Sequence, residues 1–164
     1  MGVMKGLGLT PMRERVRATV LDRYKIVVPD AFAYNPMRLN IGSIARNKCG
    51  EKCLVSPDYV VFETDRDTLL PAYLDHVRHS SIWNRFVRAT GTGSVRVRIY
   101  FDDLAAMRIP LPSIAEQTRI AHALNVLDRE IGLLEQLRTA YQAQKRGLMQ
   151  RVFAGDLAKL DPAA

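Results

Sequence analysis

From Ser113 to about Ala154 the chain runs without a proline, directly after the stop signal Pro110-Leu111-Pro112. Ser113 with Glu116 three residues on is a capping box: the hydroxyl takes an orphan N–H and the carboxylate reaches back to the cap's own N–H. Gly155 stands where a glycine just past a helix C-terminus would stand. Together these predict one helix of roughly 60 Å at about 1.5 Å per residue. A helix of that length exceeds the width of a small domain, so most of it has to find a partner or lie in water. The remainder of the 164 residues is then one domain, with the helix as its appendage.

Along this stretch Ile120, Leu124, Leu127, Ile131 and Leu134 follow the alternating four-and-three spacing of a coiled-coil seam, and the register returns at Tyr141, Leu148 and Val152. The same register places Arg138 and Lys145 in the seam. Leu137 takes over if the seam shifts; otherwise the two basic stems lie along it with their heads in water. Polar seam positions tend to fix register and partner number. An antiparallel or intermolecular helical pairing is therefore expected in preference to packing on the chain's own domain. Gly132 and Gly147 each weaken the helix by roughly 1 kcal/mol relative to alanine, which leaves room for a break near Gly147.

Upstream the pattern is short-period. Residues 1–20 carry three glycines and a basic stretch, and predict a loop or a short strand. Lys25-Ile26-Val27-Val28 reads as a strand closed by the turn Pro29-Asp30, and Ala31 to Tyr34 is a second apolar run closed by Asn35-Pro36. Asn40 to Ala45 predicts a strand with Ile41 and Ile44 near the core and Gly42 at a bulge. Leu54-Val55 and Tyr59 to Phe62 are strand material broken by Ser56-Pro57. The period then lengthens: a helix is predicted from Leu69 to about His79, and a second follows, capped by Ser80-Ser81. Thr90 to Ser94 reads as a loop. Val95 to Ile99 alternates as a half-buried strand with Arg96 and Arg98 on one face. Asp102 to Met107 is a single helical turn, and Arg108-Ile109-Pro110 a short strand. The fold class expected is α+β: a small mixed domain followed by one long C-terminal helix.

The net charge is +7, and it is uneven. Residues 1–112 hold 17 Lys/Arg against 11 Asp/Glu, while residues 113–164 hold 7 against 6. The basic excess sits before the helix, which points to a polyanion, with nucleic acid ahead of an acidic membrane surface. No run approaches the apolar length that spans a bilayer, and the N-terminal stretch is too short in apolar residues for a signal peptide. A cytoplasmic protein without membrane association is expected. Cys49 and Cys53, with His76 and His79, are the residue types of a zinc site, but the two-residue gap between the histidines is tighter than a finger uses. Reduced thiols in a basic loop or at a strand end are the preferred reading, with no metal and no cofactor.

Signs of catalysis are missing from the sequence. It has no nucleophile elbow, no phosphate-binding loop and no paired-histidine metalloprotease motif. Asp102-Asp103 suits a helix N-terminus. Asn35-Pro36 begins like the catalytic tetrapeptide of adenine methyltransferases, and Met37 and Arg38 break it. A non-catalytic protein is expected. The donors suited to DNA are Arg46, Asn47, Lys48 and Lys52 in one loop, and Ser94, Arg96 and Arg98 on another loop and strand. Arginine pairs with guanine and asparagine with adenine in the major groove, while lysine and serine more often hold phosphate.

From about Tyr24 to Leu157 the sequence resembles the specificity subunit of type I restriction–modification systems. The strongest match is Ile109-Pro110-Leu111-Pro112 followed by Ala115-Glu116-Gln117 and Ile120, the passage from a target-recognition domain into a spacer helix. Lys145 to Gln150 and Gly155-Asp156-Leu157 are similar to the family's helix end. Val28 to Phe32 with Tyr34-Asn35, Gly42 to Asn47, Val55 to Tyr59 and Gly93 to Arg96 are similar to the recognition domain's recurring segments. The resemblance implies a DNA-recognition domain over 1–112, a spacer helix over 113–157 and a tail over 158–164. It implies reading of half a bipartite DNA site and docking of a methyltransferase subunit, through it the motor subunit. The family's usual subunit has two recognition domains and two spacer helices paired antiparallel. This chain has one of each and begins late, so it is expected to act as a half-subunit, homodimerising through the helix or pairing with another such fragment. A helical assembly or scaffold protein without DNA binding, or a remnant of such a subunit, is the alternative.

Overall fold

The computed structural model describes residues 1–4, 8–10, 22–90 and 98–154. It divides into two compact units, Met1–Ala121 and His122–Ala164. The first unit is built on the strand β4, Phe32–Tyr34, whose three residues are all buried. It lies between β5, Ile44–Arg46, and β7, Val60–Phe62, in an antiparallel sheet of order β5-β4-β7. The register sets Ala33 opposite Ala45 and Val61. Two further antiparallel pairs complete the β structure: β1, Gly2–Met4, with β2, Gly8–Thr10, and β3, Lys25–Val27, with β6, Cys53–Val55.

Successive strand residues point to opposite faces, and β4 uses that to serve two cores. Phe32 and Tyr34 face the helices: they pack with Leu39, Ile44, Tyr73, Leu74, Trp83, Val87, Ile99 and Leu104. Ala33, with Ala31, packs against Val27 and Val55, and Val3, Leu9 and Tyr59 close that side. Large residues on one face and small ones on the other make room for helices here and a close strand layer there. Phe32 and Phe62 stack at 5.2 Å between ring centroids. The Tyr34 hydroxyl donates to the Ile99 carbonyl at 3.2 Å. Burial, and secondarily Asp103 and Asp102, push its pKa up to about 12, so it remains a donor at any working pH.

The helices are α1, Pro71–Val77, α2, Ser81–Thr90, α3, Phe101–Ala105, and α4, Ile114–Phe153. Pro71 occupies the first turn of α1, where its missing N–H costs nothing. The Ser80 hydroxyl accepts from the Trp83 N–H at 3.3 Å and so caps α2. The Asp103 carboxylate accepts from the Tyr100 N–H at 3.0 Å, the helix-capping role expected of that acidic pair.

Two local expectations need correction. Asn40 to Ala45 is not one strand. Leu39–Ile41 is a turn of 3-10 helix closed by Gly42 in the left-handed region at φ 87°, and β5 begins only at Ile44. Ile41 is consequently exposed while Ile44 is buried. Arg108 to Pro110 forms no strand; the chain is irregular there. The predicted strand Val95 to Ile99 falls largely outside the described residues, and Arg98 and Ile99 are irregular. The 158–164 tail also lies outside them.

The long helix is continuous over 40 residues. Its cap is half of the expected box. The Glu116 N–H donates to the Ser113 hydroxyl at 3.3 Å, and the Glu116 carboxylate meets that hydroxyl at 3.4 Å rather than the Ser113 N–H. Gly132 and Gly147 lie inside the helix without a break, and a Cβ at either would meet nothing within 4 Å. Alanine at both positions should therefore stabilise the helix, by about 1 kcal/mol each, read as a higher midpoint for the loss of helical circular dichroism on heating. Among the described residues no helix is long and apolar enough to cross a membrane.

Candidate nucleic-acid interface

Two of the basic residues singled out between positions 46 and 52, Arg46 and Lys48, converge on a carboxylate that no local pattern reveals. Asp75, on α1, is 3% exposed and receives three cations. Arg78 Nε lies 2.6 Å from its Oδ1, Lys48 Nζ 2.7 Å from its Oδ2, and Arg46 Nε 3.5 Å from the same oxygen. Arg46 is an ion contact without hydrogen-bond geometry at Nε. Its other end reaches Asp30 at 3.6 Å, and Asp30 also takes Arg66 at 3.1 Å. Arg78 further donates to the Ile44 carbonyl at 3.3 Å, tying α1 to β5. Burial raises the Asp75 pKa, but Arg78 and Lys48 outweigh it and hold the carboxyl below its ordinary value. Four cations on two carboxylates leave a local excess of positive charge.

Access decides which of these can meet a ligand. The Arg46 and Arg78 side chains are 12% and 14% exposed, whereas those of Lys48 and Arg66 are 55% and 63%. The ammonium of Lys48 and the guanidinium of Arg66 therefore face water while still anchored by carboxylates. Asp30 itself sits at φ 69°, an uncommon conformation for a residue with a Cβ. Its two arginine partners flank a turn that is also held by the Asp30 N–H donating to the Asn47 carbonyl at 2.9 Å.

Asn47 is a correction. It was expected to reach DNA, yet it is 1% exposed and its amide is spent on the chain. Nδ2 donates to the Val27 carbonyl at 3.0 Å and to the Glu51 carbonyl at 2.7 Å, and Oδ1 accepts from the Cys49 N–H at 3.0 Å. It is the internal brace of the loop before β6. Arg46 is corrected in the same sense, since its guanidinium is taken up by Asp30 and Asp75. Lys52 is exposed just before β6. Arg98 is exposed and lies beside Met37, 3.6 Å from its sulfur, apart from the Asp75 cluster. Ser94 and Arg96 lie outside the described residues.

Cys49 is exposed and Cys53 half-buried, both as free thiols. Burial, with Cys49 nearby, pushes the Cys53 thiol up, which makes it less reactive rather than more. A cavity of about 550 Å³ opens between β7, α2, α3 and the segment before α4, lined by Phe62, Leu69, Trp83, Phe101, Leu104 and Met107 among others. It shares no residue with the Asp75 cluster.

Two residues that sequence reasoning missed stand out. Arg66 had no signal, lying between two aspartates. Gln117 was noticed only as part of a motif, and its reason is physical: it is fully buried and makes three hydrogen bonds. Its Oε1 accepts from the Leu70 N–H at 2.9 Å, and its Nε2 donates to the carbonyls of Thr68 and Pro112, each at 2.9 Å. It thereby serves the orphan N–H at the start of α1 and joins the first turn of α4 to that loop.

On α4, the seam residues Leu124, Leu127, Ile131, Leu134, Tyr141 and Leu148 are all exposed, as are Arg138 and Lys145 between them. Ile120 is 38% exposed on the same stripe, while Ala121 beside it is buried.

A small α+β fold whose chain continues into a long helix is an architecture shared with known proteins. Residues 37–140 match the type I restriction modification DNA specificity domain, and the chain belongs to that family. Two solved structures share the fold. One is described as the structural basis underlying complex assembly and conformational transition of the type I R-M system; it is 22% identical, with a TM-score of 0.66 over 89% of this chain and 38% of that one. The other is the HsdS subunit from Thermoanaerobacter tengcongensis, also 22% identical, with a TM-score of 0.62 over 88% of this chain and 39% of that one. The chain thus spans about two fifths of the length of these neighbours. Among curated proteins, no relative matches.

Proposed function

We propose that the chain is a non-catalytic, cytoplasmic specificity module that binds double-stranded DNA, reads half of a bipartite site and docks a methyltransferase subunit, which in turn connects it to a motor subunit. Residues 1–112 carry the DNA-facing part, and 113–157 act as the spacer helix. The family match over 37–140 carries this reading, and the exposed cations beside Asp75 and Asp30 support it. Lys48 and Arg66 are placed to hold phosphates, because each presents free N–H groups to water from an anchored position. Lys52 and Arg98 are the remaining described candidates, with Ser94 and Arg96 close to Arg98 in sequence. The exposed seam of α4 suits docking of a helical partner, including a second copy.

Titrating a duplex by fluorescence anisotropy at several salt concentrations tests the surface. Affinity should fall linearly with salt on logarithmic axes. Lys48→Ala with Arg66→Ala should weaken binding uniformly across sequences and reduce that slope by about two, one per lost phosphate contact. An unchanged slope in the double variant would remove these residues from the interface. Binding that ignores salt altogether would favour the assembly role instead.

A further inference from the structure

The cavity beside Trp83 carries a charge opposite in sign to that of the chain as a whole. Its charged lining is Glu63, Asp65 and Arg108, two carboxylates against one guanidinium, in a protein of net charge +7. We propose that this cavity binds a small organic cation with an aromatic ring, in its simplest form an arylalkylammonium. The rings of Phe62, Trp83 and Phe101 take the apolar body, and the carboxylates of Glu63 and Asp65 take the ammonium.

Size and lining suit such a ligand. About 550 Å³ falls in the range of small-molecule sites, which are mostly apolar with a few polar groups. Phe62 is fixed in plane by its stack on Phe32, and Phe101 stands 5.6 Å from it, tilted by 47°. Phe101 and Leu111, both in the lining, are 43% and 55% exposed, so apolar surface remains for a ligand to cover. Thr64 lines the same cavity, and its hydroxyl is buried without a hydrogen-bond partner among the described residues. Such groups are rare, and an ammonium brings donors.

The charges choose between ligands of that size. Asp65 is held in place by its own loop: its carboxylate accepts from the Asp67 N–H at 3.1 Å and from the Thr68 hydroxyl at 3.3 Å. Neither bond neutralises it. Arg66, next in the chain, is turned to Asp30 instead, and among the described residues no cation lies within ion-pair distance of Glu63 or Asp65. Ring faces attract cations as well. Carboxylates and rings therefore act in the same sense, with Arg108 opposing them. The cavity disfavours the polyanion that the basic surface favours, so it is a separate site with a separate ligand.

Trp83 is the only tryptophan in the chain, so one indole N–H resonance in a proton–nitrogen spectrum of the full chain reports on the cavity. Three probes of nearly equal shape, phenethylammonium, 2-phenylethanol and 3-phenylpropionate, are titrated to about 10 mM. Phenethylammonium should shift the Trp83 resonance saturably, with a dissociation constant at least about fivefold below that of 3-phenylpropionate and with 2-phenylethanol between them. Glu63→Gln should raise the phenethylammonium constant by about threefold, and Arg108→Gln should lower it by a similar factor. Both side chains are exposed, and the backbone amide spectrum checks that each variant is folded. Ala105→Phe, on the exposed end of α3 in the same lining, should abolish the shift. No saturable shift, an order in which 3-phenylpropionate binds as well as phenethylammonium, or a shift that survives Ala105→Phe overturns the proposal. So does either charge variant leaving the constant unchanged or moving it the other way.

Discussion

Asp75→Ala should destabilise the first unit by about 3–5 kcal/mol, because it leaves buried cations without their counter-charge. The carboxylate is 3% exposed, and the Arg46 and Arg78 side chains facing it are only 12% and 14% exposed, so water cannot replace it. Arg78 also holds the Ile44 carbonyl, and losing its anchor loosens the contact between α1 and β5. Asp75→Asn, which keeps the shape and removes the charge, should recover part of the loss through hydrogen bonding alone. The pH dependence follows from the depressed pKa. Its ordinary value is 3.8, and a carboxyl held below that in the folded state contributes its full stability above this pH. The contribution drains away as pH falls through 3.8 towards the folded-state value. Urea midpoints of the native chain and Asp75→Ala should therefore lie far apart at pH 7 and closer together at pH 3. Equal separation at both would show that the carboxylate's charge is not what stabilises the cluster.

Gln117→Leu should be nearly as damaging, at about 3 kcal/mol, despite adding an apolar side chain to a buried site. Three backbone groups lose their partner at once: the Leu70 N–H and the carbonyls of Thr68 and Pro112. Each buried group left unpaired costs about 1–3 kcal/mol, and some recover a water at the rim. Gln117→Glu separates the contributions. It keeps an acceptor for Leu70 but aims a carboxylate at two carbonyl oxygens, so it should be at least as destabilising at neutral pH and partly relieved in acid, where a protonated carboxyl can donate. Thermal unfolding followed by circular dichroism reads both variants. A Leu variant within about 0.5 kcal/mol of the native chain would mean the three bonds contribute nothing net.

These two residues mark where sequence reasoning stops. What depends on neighbours along the chain was legible. Ser113 announced the start of α4, the absence of proline announced its extent, and Ser80 announced the cap of α2. The β-branched runs at Lys25 and Tyr59 became strands, and the family motif around Pro110 to Gln117 pointed to the match over 37–140. What depends on distant partners was not legible. Asn47 and Arg46 looked like DNA donors because nothing near them indicates that Val27 and Glu51 claim the Asn47 hydrogens or that Asp30 and Asp75 stand against the Arg46 guanidinium. Gln117 entered only as part of the family motif, because its partners, Thr68, Leu70 and Pro112, give no signal beside it on the helix. Asn40 to Ala45 misled for a local reason: the interval between Ile41 and Ile44 is as consistent with a tight helical turn ended by glycine as with a bulged strand.

The bracing of the loop before β6 has a consequence for how such a surface can change over time. Asn47 grips that loop from inside, holding the Val27 and Glu51 carbonyls and the Cys49 N–H, so its backbone path owes little to the side chains on its rim. Residues 48–52 are all exposed, and only Gly50, at φ 75°, is bound to its identity by conformation. Cys49, Glu51 and Lys52 can change in type while the frame beneath them persists, whereas Lys48 is tied to Asp75. One buried amide inside and an exchangeable rim outside let this surface vary without refolding the loop.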